Sequence, residues 1–113
     1  NADDKSLIKV AHSGKKILYF SRTKIPFNNK EKKINYYKDL SVISFKPKAL
    51  QKFANLKQSY LESIEGIELL RALENNLTIG TYLATGSSFG VNVKQDLLRA
   101  IGEMSKSKIR KLY

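Results

Sequence analysis

The longest uninterrupted helical pattern of the chain covers residues 59–74. Ser59 and Glu62 form the S-x-x-E signature of a helix capping box, and the pair Asn75 and Asn76 provides a stop. At 100° per residue, the apolar residues of this segment spread almost all the way round, whereas an exposed helix confines them to one stripe. We therefore predict a single helix that is covered on more than one side, either by its own domain or by that domain together with a second subunit.

Shorter patterns predict the strands. Runs of β-prone residues occur at four places, residues 7–10, 16–20, 40–45 and 77–83. The polar segment 12–15 joins the first two runs, which predicts a hairpin, and the run at 40–45 has the strongest strand pattern of the four. Residues 21–38 form a basic stretch without periodicity, which is long for a loop in a compact domain and is typical of a functional or mobile segment.

Two further helices are predicted. Pro47 stands at a natural first position of a short helix. Apolar residues at steps of four, four and three predict a final amphipathic helix through Val93, Leu97, Ile101 and Met104. Asn92 precedes this helix and has Gln95 three residues on, which indicates an N-cap with its partner. A basic, frayed tail is expected over residues 106–113. The order of strands and helices predicts the α/β class.

Length and composition exclude several classes of protein. A chain of 113 residues is one domain or a piece of one. The absence of cysteine excludes disulfides, thiolate catalysis and cysteine metal sites. No apolar run approaches the roughly 20 residues of a membrane span, and no signal peptide opens the chain. We therefore expect a cytoplasmic protein that does not bind membranes.

The net charge of +11 is concentrated in the first half of the chain. Residues 1–58 contain 14 Lys and Arg and 4 Asp and Glu, a balance of +10, whereas residues 59–113 contain 7 and 6, a balance of +1. A basic half attracts anions such as nucleic acid, nucleotides or sugar acids. The alternative is a lysine-rich solvated surface, and charge alone does not choose between the two.

Generic catalytic motifs are absent. The sequence contains neither G-x-G-x-x-G nor G-x-x-x-x-G-K-[ST]. Its one histidine, His12, stands in a glycine-containing turn and is expected on the surface. Three carboxylates recur at steps of three in the long helical pattern, namely Glu62, Glu65 and Glu68. They form either a metal or acid–base cluster or a polar edge with local ion pairs, Glu68 with Arg71 or Arg71 with Glu74.

Four segments, taken in order, resemble one enzyme family. YFSRTKIP at residues 19–26 resembles the YFSRxxIP segment of the CMP-Kdo synthetases, the 3-deoxy-manno-octulosonate cytidylyltransferases. Residues 37–46 stand where that family has its KHIGIYAYR strand, residues 59–74 resemble SPLExxExLEQLRxLE, and residues 90–97 resemble GVDTPEDL. The resemblance implies the C-terminal half of a Rossmann-like nucleotide-diphosphosugar transferase fold, with a mixed sheet and flanking helices.

The same resemblance implies an activity. Members of the family transfer CMP from CTP to the anomeric hydroxyl of a 2-keto-3-deoxy sugar acid, with Mg²⁺, and release pyrophosphate. This chain, a single partial domain over residues 1–113, would supply sugar-binding residues, a metal ligand and the contact of a homodimer. The N-terminal half, whose Gly- and Arg-containing loop binds the CTP phosphates, would be missing. We therefore expect the 113 residues alone to be inactive.

Two residues match family positions that bind substrate. Arg22 would lie near the sugar carboxylate or the phosphates, a role that suits a permanently charged fork of donors. Glu68 matches the glutamate that hydrogen-bonds sugar hydroxyls. The comparison leaves Glu62 and Glu65 to capping and local pairing.

Five positions depart from the family pattern. Asp39 replaces its histidine, Ser41 its glycine and Ile43 its sugar-contacting tyrosine. Leu69 replaces its glutamine and Asn92 its metal-binding aspartate. Mg²⁺ prefers charged oxygen ligands, so Asn92 would offer only a weaker, neutral oxygen. The replacements at Asp39, Ile43 and Leu69 would remove several sugar contacts and so lower affinity and discrimination for a hydroxyl-rich sugar. Either the sugar differs or the activity is reduced.

Two rival hypotheses remain open. The first is a non-catalytic relative that binds a nucleotide, a sugar or a partner subunit. The second is a basic nucleic-acid-binding module, whose affinity would fall steeply with salt. The second is less favoured, because the basic residues lie mostly in predicted loops and no aromatic RNA-binding strand motif occurs.

Overall fold

A small antiparallel sheet forms the centre of the first part of the chain. The computed structural model describes residues 2–86 and 88–107, which cluster into two compact units divided between residues 83 and 84. In the first unit, strands β1 (Lys9–Ser13), β2 (Lys16–Ser21) and β3 (Tyr37–Lys38) pair in the order β2-β1-β3, and both pairs are antiparallel. The parallel pairing that a mixed sheet requires does not occur between these three strands.

The predicted hairpin is confirmed. β1 and β2 pair from Lys9 opposite Ser21 to Ser13 opposite Lys16, with an irregularity between Ala11 and His12. Gly14 closes the turn at a φ of +57°, a left-handed conformation that glycine adopts without the steric cost of a Cβ. The hairpin carries the end of β2 to a fixed place, and this end begins the site described below.

The prediction of a strand at residues 40–45 is wrong. The partner strand β1 pairs instead with Tyr37–Lys38, and the Asp39 amide adds one bond of 2.9 Å to the carbonyl oxygen of Ile8. Ser41 then has a φ of +57°, which turns the backbone out of the extended conformation. The apolar residues that suggested a strand are exposed, Val42 to 89%.

The strand predicted at residues 77–83 is reduced to one isolated bridge. Lys16 and Gly80 form this bridge, which is antiparallel. The Ile17 amide donates to the Ile79 carbonyl at 2.9 Å, and the Thr81 amide donates to the Lys15 carbonyl at 2.7 Å. The segment therefore borders the sheet beside β2 without forming a strand of its own.

The single long helix predicted over residues 59–74 is also wrong. Helix α1 (Pro47–Ala54) begins at its proline as predicted, and it is followed by two short helices, α2 (Tyr60–Glu65) and α3 (Leu69–Glu74). Gly66 separates them in the left-handed conformation, with φ +65° and ψ +38°, and its amide donates to the Glu62 carbonyl at 2.8 Å. A glycine in this conformation is a common helix C-terminus.

The core lies between the hairpin and α3. Its buried apolar residues are Val10, Ile17 and Phe20 of the hairpin, Leu70 of α3, and Ile67 from the segment between α2 and α3. Leu70 is fully buried and Phe20 is 2% exposed. Tyr60 and Ile64 on α2 are 74% and 68% exposed, so α2 is covered on one side only. This packing holds the end of β2 against the junction of α2 and α3.

The second unit contains helix α4 (Lys94–Lys106), which confirms the predicted final helix. Its N-cap is Val93 and not Asn92. The Asn92 and Val93 amides both donate to the Asp96 carboxylate at 3.1 Å, so the Asp96 side chain caps the start of the helix. The predicted frayed tail lies, from residue 108 on, outside the described residues. Across residues 2–86 and 88–107, no helix combines the length and the apolar character needed to cross a membrane.

Candidate functional site

The site is built at the end of β2, where the chain leaves the sheet. Ser21 is 1% exposed and Arg22 is half-buried. Glu65, the last residue of α2, reaches this point from a position more than forty residues along the chain. Its Oε1 accepts from the Ser21 hydroxyl at 2.7 Å, and its Oε2 accepts from the Arg22 amide at 3.0 Å. The Glu65 side chain thereby fixes the backbone of Arg22.

The tyrosine of the same strand also contacts this carboxylate. Tyr19 Oη donates to Glu65 Oε1 across a long 3.5 Å. Burial, and then the charge of Glu65, raise the pKa of Tyr19 above its usual value of 10.0. Tyr19 therefore stays protonated near neutral pH and remains a donor to Glu65.

The guanidinium of Arg22 is directed by backbone carbonyls. Nε donates to the Glu65 carbonyl at 3.0 Å, Nη1 to the Lys5 carbonyl at 3.3 Å and Nη2 to the Gly66 carbonyl at 3.4 Å. Within the described residues, ion pairs join Lys24 to Asp3 and Arg71 to Glu62, and none includes Arg22. The Arg22 guanidinium is thus held by three neutral carbonyls, which engage three of its five N–H donors and do not neutralise its charge.

A second carboxylate of α2 has a different task. Glu62 is 4% exposed, and its two oxygens accept from Arg71, with Nε 2.8 Å from Oε2. The Ser59 amide donates to the same Oε2 at 3.1 Å, which is the backbone half of the predicted capping box. The Arg71 guanidinium, and the Ser59 amide with it, hold the pKa of Glu62 below its usual 4.5 although burial opposes this. In turn, Glu62 raises the pKa of Arg71.

The predicted local ion pairs of Arg71 do not form among the described residues, although the Glu68 charge also acts on Arg71 from a longer distance. Arg71 pairs instead with Glu62, nine positions earlier and across the break at Gly66, because that break turns α3 back onto α2. The Glu74 carboxylate accepts instead from the Leu61 amide, at 3.2 Å for each oxygen. Glu68 is exposed at the N-cap of α3.

The other predicted substrate positions of this unit lie at separate places. Asp39 is half-buried after β3, and its Oδ2 is 3.4 Å from the Ser41 hydroxyl, a long hydrogen bond. Leu69, the first residue of α3, is partly buried and packs against the core. Of the predicted residues, the structure thus brings Arg22 to the α2–α3 junction, with Glu68 and Leu69 just beyond Gly66.

With this geometry in hand, comparison with known proteins identifies the family. A model of the family described as "Cytidylyltransferase" matches residues 1–79. The chain belongs to the cytidylyltransferase family. The expected resemblance is confirmed by curated relatives named "3-deoxy-manno-octulosonate cytidylyltransferase". The protein of that name from Rickettsia prowazekii is 42% identical over 101 residues, 88% of this chain and 39% of the relative. The one from Acidobacterium capsulatum is 42% identical over 88 residues, 77% of this chain and 36% of the relative.

A solved cytidylyltransferase structure has the same fold. It is described as CMP:2-keto-3-deoxy-manno-octonic acid synthetase complexed with CTP. It superposes with a TM-score of 0.86 at 27% identity and covers 93% of this chain and 44% of its own. The expected fold, part of a nucleotidyltransferase of this kind, is therefore confirmed. The chain spans less than half the length of the relatives that it matches.

The predicted metal position is the least supported. Asn92 is exposed in the second unit, and the nearby Asp96 carboxylate already accepts two backbone amides. Among residues 2–86 and 88–107, no group of three or more His, Asp or Glu side chains is placed to hold a metal ion. Mg²⁺ is usually bound by only one or two protein carboxylates together with water and substrate phosphates, so a magnesium site at Asn92 stays a prediction.

Sequence reasoning missed Glu65 and Lys9. The resemblance had a signal for Glu65, because the family segment SPLExxE carries a glutamate at this position, but the prediction used only Glu68 for the site. Lys9 is 2% exposed, and its ammonium donates to three carbonyl groups, those of Asp4, Leu7 and Arg22. A lysine in a strand pattern gives no signal of such burial, because lysine is almost always exposed.

Proposed function

We propose that this chain is part of a cytidylyltransferase that transfers CMP from CTP to a 2-keto-3-deoxy sugar acid. The oxygen of the sugar hydroxyl attacks the α-phosphorus of CTP in line, its proton is lost, and pyrophosphate leaves. The observation that carries this proposal is the superposition, at a TM-score of 0.86, on a synthetase complexed with CTP. The identity of 42% with curated cytidylyltransferases adds support. Positioning and electrostatic stabilisation carry most of such a reaction.

In this proposal Arg22 binds an anionic group of a substrate, the sugar carboxylate or a phosphate. A guanidinium suits the task because it is always charged and its donors form a planar fork. Its carbonyl partners direct the fork without neutralising it. The part of the reaction assigned to this chain is therefore binding and orientation of the substrate.

The direct test supplies the full-length protein with CTP, Mg²⁺ and a panel of 2-keto sugar acids that includes 3-deoxy-manno-octulosonate. We expect pyrophosphate release with at least one acid. Arg22→Lys keeps the charge but loses the fork, so it should raise KM for one substrate about tenfold. Lys24→Ala removes an exposed cation two residues away and should leave KM unchanged. No release with any acid would contradict the proposal, and so would turnover by the 113 residues alone.

A non-catalytic relative is the second candidate. It is favoured by Leu69, whose side chain packs against the core where the family has glutamine, and by the neutral Asn92. If the protein does not catalyse the transfer, the double substitution Leu69→Gln and Asn92→Asp leaves pyrophosphate release at zero. If it is an altered enzyme, the same change raises turnover. In that case the single change Asn92→Asp should lower the Mg²⁺ concentration for half-maximal rate.

Dimerisation belongs to the proposal as well. The α2 side chains Tyr60 and Ile64 are exposed, and the resemblance assigns a dimer contact to this part of the family fold. Sedimentation of the full-length protein should give twice the monomer mass, and Ile64→Lys should shift the mass towards the monomer.

A further inference from the structure

The peptide groups of Arg22 are held from both sides by opposite charges. The Glu65 carboxylate accepts from the Arg22 amide at 3.0 Å. The Lys9 ammonium donates to the Arg22 carbonyl oxygen at 2.8 Å. Hydrogen bonds with one charged partner are about twice as strong as neutral ones. The backbone of this residue is therefore held more firmly than the ladder of β2 alone would hold it.

Both charged groups are committed to this place. Lys9 is 2% exposed and uses its three N–H groups on the Asp4, Leu7 and Arg22 carbonyls. Glu65 binds the Ser21 hydroxyl and the Arg22 amide, and neither residue belongs to an ion pair among the residues described. Burial of an ammonium is costly unless its bonds are all made, and three carbonyl groups accept from Lys9. Both side chains are thereby ordered by contacts that include the Arg22 peptide groups.

We propose that Lys9 and Glu65 are positioning residues that preorganise Arg22 for an anionic substrate. The inference rests on the proposed function of Arg22 and deepens it. Glu65 contributes twice, because its side chain fixes the Arg22 amide and its backbone carbonyl accepts from Nε. Neutral carbonyls then order the fork while the charge stays available. A fork fixed before binding loses less conformational entropy when the anion arrives.

The test compares Glu65→Gln with Glu62→Gln in the full-length protein. Both changes neutralise one carboxylate of α2, but only Glu65 contacts Arg22. Glu65→Gln should raise KM about tenfold for the same substrate whose KM rises in Arg22→Lys, with little change of kcat. Glu62→Gln should lower the melting temperature without this change of KM. Lys9→Met should reproduce the effect of Glu65→Gln from the other side of the peptide.

A double-substitution cycle decides whether Glu65 acts through Arg22. In the Arg22→Lys background, Glu65→Gln should add less than about twofold to KM, because the fork it positions is already lost. Full additivity of the two changes would overturn the proposal. An equal rise of KM in Glu62→Gln would overturn it too, since that result would show a general effect of helix destabilisation.

A readout independent of turnover separates this inference from the proposed function. Exchange of the Arg22 amide hydrogen should accelerate about tenfold or more in Glu65→Gln and not in Glu62→Gln. Unchanged exchange would overturn the inference whatever the activity. If the wild type releases no pyrophosphate, the proposed function fails. The affinity for inorganic pyrophosphate is then measured in place of turnover. If Glu65 acts through Arg22, Arg22→Lys and Glu65→Gln each weaken this affinity, and their effects are not additive in the double variant.

Discussion

At the scale of single residues, Glu62 and Glu65 lie one turn apart on α2 and yet bind different parts of the chain. Glu62 turns to Arg71 on α3, and Glu65 turns to the end of β2. The sequence predicted that both would serve capping and local pairing. For Glu62 this was partly right, since its carboxylate accepts from the Ser59 amide. For Glu65 it missed the long-range contact, because spacing along a helix says nothing about the strand that packs beside it.

The pair of Glu62 and Arg71 predicts how stability depends on pH. Arg71 and the Ser59 amide depress the pKa of Glu62 in the folded state below its unfolded-state value of 4.5. At pH values above 4.5, the ionised carboxylate therefore stabilises the folded protein. This contribution is lost as the pH falls through the folded-state pKa. We therefore expect Glu62→Gln to lower the denaturation midpoint at pH 7 and to differ less from wild type as the pH falls below about 4.5.

The control for this prediction removes the other partner. Arg71→Met should lose the same pH-dependent part of the stability, and the double variant should lose little more than either single one. Chemical denaturation followed by circular dichroism at neutral and acid pH measures all four proteins. A difference between wild type and Glu62→Gln that is constant with pH would show that the pair does not cause the dependence.

At the scale of elements, local signals predicted helix and hairpin starts well but missed breaks and strand partners. Pro47 and the last amphipathic pattern gave α1 and α4. The long pattern at residues 59–74 failed at Gly66, which adopts the left-handed conformation of a common helix C-terminus. The run at 40–45 failed because β1 pairs with Tyr37–Lys38 instead. This second failure comes from a tertiary pairing, which a single sequence does not display.

Two glycines offer a matched test of the break between α2 and α3. Gly66 has a φ of +65°, and a Cβ there would meet only the Arg22 side chain, at an ordinary 3.9 Å. Gly66→Ala should therefore cost about 1–2 kcal/mol through backbone conformation and not through a clash. Gly102 lies inside α4 with no atom within 4 Å of a Cβ, so Gly102→Ala should stabilise by about 0.5–1 kcal/mol. Thermal denaturation of both variants measures the signs.

A helix that in fact continued through residue 66 would give the opposite result. In that case Gly66→Ala would stabilise the protein as Gly102→Ala does. Gly66→Asn provides a graded control, because asparagine enters the left-handed region more easily than alanine. It should lie between the wild type and Gly66→Ala in stability.

At the scale of the whole molecule, the family and its fold were predictable and the roles of the site residues were not. Four short segments in family order were enough for the fold, because they carry both the strand–loop and the helix signals of the family. They also predicted Arg22 as a substrate-binding residue, but they did not predict the Lys9 and Glu65 side chains that contact its backbone. Those contacts join positions up to 43 residues apart, which no local pattern encodes.

The segment 40–45 provides the last prediction. It alternates like a strand, yet Val42 is 89% exposed and Leu40 and Ile43 are 42% and 47% exposed. Relatives are more than twice as long as this chain, so a protein of their length has further surface to cover this segment. In the 113-residue chain, Val42→Lys should change stability by no more than about 0.5 kcal/mol and should reduce binding of a hydrophobic dye.

In a cytidylyltransferase of the relatives' length, the same Val42→Lys should destabilise by more than about 1 kcal/mol, because it would bury an unpaired charge. Thr78→Lys, at another exposed position, is the matched control and should be neutral in both proteins. Denaturation midpoints of the long and short forms give the comparison. An equal effect of Val42→Lys in both forms would show that the strand pattern at 40–45 marks an apolar surface that stays open, and that the rest of the fold does not pair with it.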